Sequence, residues 1–574
     1  MLDRLADGLR LRRESGFLTL VAILPMLWAA SQGIRRGWFP VGDEALTGLS
    51  AFDVFTGHPP VMGPRTTTAF ESGIETHHPG PILYYLLAPT TALADGAPWG
   101  LIVGSLLICV TIIAVGIHTA CRQGGAIAGL VVTLAFLGVQ WALGPEAGAR
   151  PFNPYPPAFA VLTFLVLTWA LLDERLELVP HYVVCASFMV QSHIGYIPFL
   201  VGPVAVMASV GLIRWSRRRR TIWPLRGWRP PDHGRFRGPT RVALVLLALI
   251  WIAPTVELFR FSPNNAERVV QYVFSDRGTP LPFLDGMRFA TGLTAPIPGG
   301  MQAAFDQHGA ASAFIVRSLP SLPAVAVGGL LLACLLGIAI AGTARIDVFN
   351  FPSRVIPWVP TRTEGNAAWS VLIGFAAVAG TVTRLPESSA QSTWNYLQAW
   401  PVSFTLWAVL AGYLARRVVL PSLPRISTAV AVAATLIGLV AATNSPAPSR
   451  WDEGKEVAGG WPDLARALSE IDDRYEGKLH VTFDGDSLGA GYYVAPSLAF
   501  AMKDKYAVHL PAVWSSEEDT DFRKSVSSPS DTAWISVRTG DGSTTRASVN
   551  PRSEQVATVS ESGIVYTLFV RGPR

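Results

Sequence analysis

Apolar stretches about as long as a bilayer crossing, roughly 20 residues, recur along the first 440 or so positions. Nothing else in the chain constrains it as strongly, because such runs bury themselves in lipid as helices. Spans are expected at 17–32, 97–118, 124–143, 156–173, 181–195, 197–214, 242–260, 321–343, 367–385, 400–416 and 426–443, about eleven in all. The pair around Ser192 is either two crossings or a broken, re-entrant element. Residues 80–92 are apolar but short and contain Pro81 and Pro89, which predicts a half-buried or interfacial helix.

Composition agrees. Only 15% of the 574 residues are charged and mean hydropathy is +0.34, whereas soluble domains carry about 25% charge. This excludes a soluble enzyme, a disordered chain and a nucleic-acid module. The net charge of +5 belongs to arginine-rich loops at one membrane face. Every basic residue before the last apolar run is arginine; Lys455, Lys478, Lys503, Lys505 and Lys524 all follow it. That bias points to a GC-rich bacterial genome. Cys109, Cys121, Cys185 and Cys334 are scattered through the apolar part with no CxxC spacing, as apolar packing residues.

Arg4, Arg10, Arg12 and Arg13 precede the first apolar run, and no small-residue cleavage site follows before Gly33. An uncleaved first helix with a cytoplasmic start is expected. One set of alternate loops then holds Arg122, Arg175, the run Arg214 to Arg241 with Arg217 to Arg220 as its strongest part, Arg345, Arg354, Arg362, Arg416, Arg417 and Arg425. Positive residues resist export, so these loops are inside and the C-terminus outside, in the plasma membrane. After the linker at 445–449, residues 450–574 read as a small extracytoplasmic α/β domain. Helices are expected at 461–475 and 493–502, and strands at 479–483, 506–510, 533–537 and 564–570. The domain boundaries are therefore 1–444 and 445–574. Asp484-Gly485-Asp486 lacks the remaining ligands of a calcium loop and reads as a turn.

Polar residues concentrate in the outer loops. Asp43 and Glu44 follow span 1. An acid there serves either as a general base for an acceptor hydroxyl or as the opening of a short helix. His77 and His78 stand on a turn before Pro79-Gly80-Pro81, suited to phosphate, base orientation or a metal, or to a purely structural role. Arg150-Pro151-Phe152-Asn153-Pro154-Tyr155 forms the second outer loop. His193, in Gln191-Ser192-His193-Ile194-Gly195-Tyr196, faces either an aqueous cavity or the protein core. Arg384 breaks the inside preference at a span exit, ahead of Tyr396 and Trp400, and suits a lipid-linked phosphate.

In this order the motifs resemble a family. They are Gly42-Asp43-Glu44-Ala45-Leu46, His78-Pro79-Gly80-Pro81, Phe152-Asn153-Pro154-Tyr155, Gln191 to Tyr196, Trp251 to Glu257, and Ser262-Pro263-Asn264-Asn265. The chain is similar over residues 15–445 to glycosyltransferase-like membrane proteins of high-GC bacteria within the GT-C superfamily, which includes mannosyl-, arabinofuranosyl- and aminoarabinose transferases. The resemblance implies a GT-C-like polytopic fold and a polyprenyl-phosphate sugar as donor. It implies an envelope glycan or glycolipid acceptor on the outer face, and inversion with Asp43 as base. Glu44 is a rival base. His78, His193 and Arg384 would sit by the phosphate, with Asn153 and Tyr196 shaping the pocket. His77 stands where the family pattern has asparagine. Some relatives use a divalent metal and others do not. The alternatives are a flippase of lipid-linked sugars and a non-catalytic envelope-assembly scaffold.

Overall fold

The computed structural model describes residues 2–56, 59–66, 73–200, 233–275, 281–294, 321–344, 360–383, 396–418 and 424–445. In the C-terminal segment it describes five strands and a few single positions. The chain is an α-helical polytopic membrane protein. Five described helices are long and apolar enough to cross a bilayer, or six if one bent pair forms a single span.

α1 (Leu2–Arg35) leads into α2 (Asp43–Asp53), and α3 (Ile82–Leu93) follows the first long loop. The spans expected at 97–118 and 124–143 form one continuous helical hairpin, α4 (Pro98–Leu143), reversing at Gly125 with φ 70° and ψ −167°. A side chain is strongly disfavoured in that region, so glycine suits the turn. A Cβ at Gly116 would lie 3.2 Å from Phe136, so the two arms run side by side. Arg416 Nη2 donates to the Gly124 carbonyl at 2.6 Å and satisfies an oxygen left open by the reversal.

α5 (Tyr155–Leu172) is apolar on all sides, and 94% of it is buried. Such a helix belongs at the centre of a bundle, and α4, α6 (Val179–Ser192) and α12 (Arg362–Val382) pack around it. α6 stops at His193, whose backbone turns extended, and a 3₁₀ turn (Ile194–Tyr196) follows. Most of the expected span 197–214 lies outside the described residues. The expected span 242–260 bends by 46° at Trp251, between α7 (His233–Ile250) and α8 (Ile252–Arg260). α9 (Asn265–Phe274), α10 (Phe283–Thr294), α11 (Leu322–Ala344), α13 (Ala399–Val418) and α14 (Pro424–Thr443) complete the helical part.

Its two ends differ chemically. The hairpin turn of α4 lies at one end, with Arg122 near Glu177 (3.4 Å), Arg362 on Glu174 (2.8 Å) and Arg417 on Glu364 (2.7 Å). Ser15 and His118, 3.2 Å apart, place the start of α1 at this end too. The other end carries α2 and the 144–155 loop. The C-terminal segment begins there, with Ser449 Oγ donating to Glu146 at 2.6 Å and Trp451 edge-on to Trp38 at 5.7 Å. Phe500 packs edge-on against Phe39 at 5.8 Å.

Strands β1 (Leu479–Asp484), β2 (Ala507–His509), β3 (Ala533–Thr539), β4 (Glu554–Glu561) and β5 (Ile564–Arg571) form one sheet in the order β2-β1-β3-β5-β4. β1 runs parallel to both β2 and β3, while β5 is antiparallel to β3 and β4. β4 is an addition to the expected strands. Glu561 pairs with Ile564 across Ser562-Gly563, and a two-residue connection with glycine is a hairpin signal. The helices expected at 461–475 and 493–502 lie largely outside the described residues, as do Gly485 and Asp486.

Candidate active site

α2 begins at Asp43, after Gly42 with φ 52°. No side chain caps the helix, but Asp43 and Glu44 both fall in its first turn, where the helix dipole favours a carboxylate. Glu44 is buried and accepts from Arg150 Nε at 2.6 Å; the two side chains are 3% and 5% exposed. Asp43 beside it is half-buried. The first and second polar loops therefore meet at an ion pair.

Three residues after Arg150, buried Asn153 donates through Nδ2 to the Ser192 carbonyl at 3.2 Å. Tyr196 donates its hydroxyl to Pro154 O at 3.2 Å. The second loop thus holds both ends of the 192–196 turn. That turn holds His78 in its own right. Ile194 N–H donates to His78 Nδ1 at 3.0 Å, and Gly195 N–H donates to His193 Nδ1 at 3.1 Å. The two imidazoles lie 4.6 Å apart, tilted by 34°. Because each Nδ1 accepts, each neutral ring carries its proton on Nε2. Among the described residues neither Nε2 has a partner, and neither is sealed from solvent. The result is two uncharged N–H donors side by side, suited to an anionic oxygen.

The histidine loop is fixed by a short antiparallel ladder. Gly63 N–H donates to His78 O at 3.2 Å and His78 N–H to Pro64 O at 2.8 Å. A Cβ at Gly80 would run into the Gln191 side chain, so the histidine loop approaches α6 closely there and a larger residue would displace that glutamine. His77 exchanges two hydrogen bonds with Asn265: its N–H donates to Oδ1 at 2.8 Å, and its carbonyl accepts from Nδ2 at 3.0 Å. Its ring Nδ1 meets Gly63 O at 3.0 Å. Glu75 Oε1 lies 3.3 Å from Arg65 and 3.8 Å from His77 Nε2. Burial alone would raise the Glu75 carboxyl, but His77 and Arg65 outweigh it and hold it below its usual range.

Burial, reinforced by the neighbouring His193 and His77, pushes the His78 imidazole well below its ordinary value. Below about pH 6.5 an unfolded histidine takes up a proton that the folded ring refuses. Stability therefore falls as pH falls through that range. Lowering the pH from about 7 to about 5.5 should depress the thermal midpoint of the wild type more than that of His78→Gln, read by unfolding in detergent. An equal drop in both would remove His78 as the cause.

The described contacts thus bring together Asn153, His77, His78, His193 and Tyr196, and join Glu44, next to Asp43, to the same loop through Arg150. Tyr396 and Trp400 are both buried. Tyr396 stacks on Phe289 of α10 at 5.6 Å, and Trp400 lies in the first turn of α13. Arg384 lies outside the described residues; three positions earlier, Thr381 donates to Gly195 O at 3.4 Å. Arg150 and Asn265 were quoted in the motifs without a role. Arg150 carried the same signal as Arg384, an arginine in an outer loop. Among the described residues no group of three or more His, Cys, Asp or Glu side chains gathers to hold a metal ion.

No protein-family model and no curated protein matches the chain by sequence. Among solved structures, the chain is similar to ArnT from Cupriavidus metallidurans bound to undecaprenyl phosphate. They share 13% identity over 98% of this chain and 100% of that one, with a TM-score of 0.42. It is also similar to the arabinofuranosyltransferase AftD from Mycobacteria, at 15% identity over 98% of this chain and 40% of that one, with a TM-score of 0.40.

Proposed function

We propose that the protein is an integral membrane glycosyltransferase of the GT-C type. It moves a sugar from a polyprenyl-phosphate donor to an envelope glycan or lipid-linked acceptor on the outer face, with inversion. One observation carries this reading: the Asp43–Glu44 turn and the His78–His193 donor pair are linked through one loop, Arg150 to Pro154, at the end opposite the arginine-rich face. That opposite face would be cytoplasmic, because arginines stay inside. The N-terminus would then lie inside and residues 445–574 outside.

In the reaction, Asp43 takes the proton of the acceptor hydroxyl as its oxygen attacks the anomeric carbon. The bond from that carbon to the phosphate oxygen breaks, and the lipid phosphate leaves with the electron pair. The phosphate is already a good leaving group, so positioning and charge stabilisation do most of the work. His78 and His193 donate from Nε2 to the phosphate without bringing a charge. Asn153 and Tyr196 hold the turn that orients them. Arg384 is the candidate for a full positive charge beside the leaving group.

Purified protein in liposomes, given radiolabelled mannosyl and arabinofuranosyl polyprenyl phosphates and extracted envelope glycan, should transfer label from one donor. Folded protein that binds the lipid but transfers from neither would move the reading to a flippase or a scaffold.

A further inference from the structure

α9 has three faces. Asn265 is buried and Arg268 and Tyr272 are half-buried, turned toward the protein. Glu267 and Gln271, four apart, are exposed on one flank. Ala266, Val270, Val273 and Phe274 form an exposed apolar stripe at helical spacing, with Val270 56% and Phe274 84% exposed. Single exposed apolar residues need no explanation, but this stripe has company. Phe259 closes α8 at 83% exposure, and Phe283 and Leu284 open α10 at 67% and 80%. α8 is the second helix of a bent pair that is together long and apolar enough to cross a bilayer, so α9 starts at the end of that apolar stretch. A protein side, a water side and an apolar side on one short helix fit the boundary between headgroups and acyl chains.

We propose that α9 lies in this boundary, with its apolar stripe in lipid and the Glu267–Gln271 edge in water, and that it sets the depth of the histidine loop. The linkage is short. Asn264 and Glu267 form a reciprocal capping box that fixes the helix start. Glu257 of α8 accepts from Asn265 N–H at 2.6 Å, and Asn265 holds His77 by two hydrogen bonds. Moving α9 relative to the bilayer therefore moves His77 and the adjoining His78. This deepens the glycosyl-transfer reading: a lipid phosphate diffusing in the outer leaflet meets the histidine pair at its own depth.

The test uses full-length protein in phosphatidylethanolamine–phosphatidylglycerol vesicles, with nitroxide labels at Phe274→Cys and, separately, Gln271→Cys. The background is Cys334→Ser, because Cys334 is exposed and Cys109, Cys121 and Cys185 are buried. A label at 274 should collide several-fold more with oxygen than with a water-soluble nickel chelate, and a label at 271 the reverse. Equal access to the chelate at both positions would overturn the proposal. So would shielding of 274 from both colliders, which would indicate a second copy or another protein on the stripe. In the transfer assay, Phe274→Asp should lower transfer from a long-chain polyprenyl donor several-fold and spare a short-chain soluble donor; equal loss with both would count against the depth role. If the protein transfers no sugar at all, the collision measurement still decides where α9 lies.

Discussion

Asp43→Asn should lower sugar transfer by about 10²–10⁴-fold, the usual contribution of a positioned general base. Asparagine keeps the size and the place of the residue in the first turn of α2, but it cannot accept the acceptor's proton. The loss should fall on kcat, because the base acts on the hydroxyl in the transition state and need not hold the donor lipid. Donor binding should therefore stay within a few-fold of wild type, and the thermal midpoint should change little, since the helix-dipole contribution of one half-buried acid is only about 0.3–1 kcal/mol. Asp43→Glu should recover part of the rate, limited by the misplaced carboxylate. Full transfer by Asp43→Asn, measured on folded protein in liposomes, would end its assignment as the base and return Glu44 to consideration.

How much of this was legible in the sequence follows from the range of each interaction. Apolar runs and arginine asymmetry are local signals, and they located the helices at 155–172, 322–344 and 362–382 and gathered Arg122, Arg362 and Arg417 at one end. The separate spans expected at 97–118 and 124–143 already imply a reversal between them; only the φ of Gly125 shows that it is made without a loop. β4 has few strongly strand-forming residues of its own and is fixed by its pairing with β5. At the site, the motifs named the right loops but not their partners. Glu44 and Arg150 are 106 positions apart, and His77 and Asn265 are 188 apart. No periodicity encodes such a pairing. It is decided by which loops the helical bundle delivers to the same end, and then by the cost of burying a polar group without a partner.

That cost makes the Glu44–Arg150 pair the second place for a large effect. Removing one member of a buried ion pair strands the other and typically costs about 3–5 kcal/mol. Arg150→Met alone should therefore lower the thermal midpoint markedly, and Glu44→Leu alone should do likewise. The double variant Glu44→Leu/Arg150→Met replaces two charges with apolar side chains of similar bulk, which is often close to neutral. It should regain most of the lost stability, giving a strong coupling in a double-mutant cycle. A sum of the two single losses would instead mean that the pair contributes nothing as a pair. The same double variant also separates the two acids chemically. If Asp43 is the base and Glu44 braces α2 through Arg150, the double variant keeps far more transfer than Asp43→Asn. If Glu44 is the base, restoring stability restores no activity, because the carboxylate that takes the proton is gone.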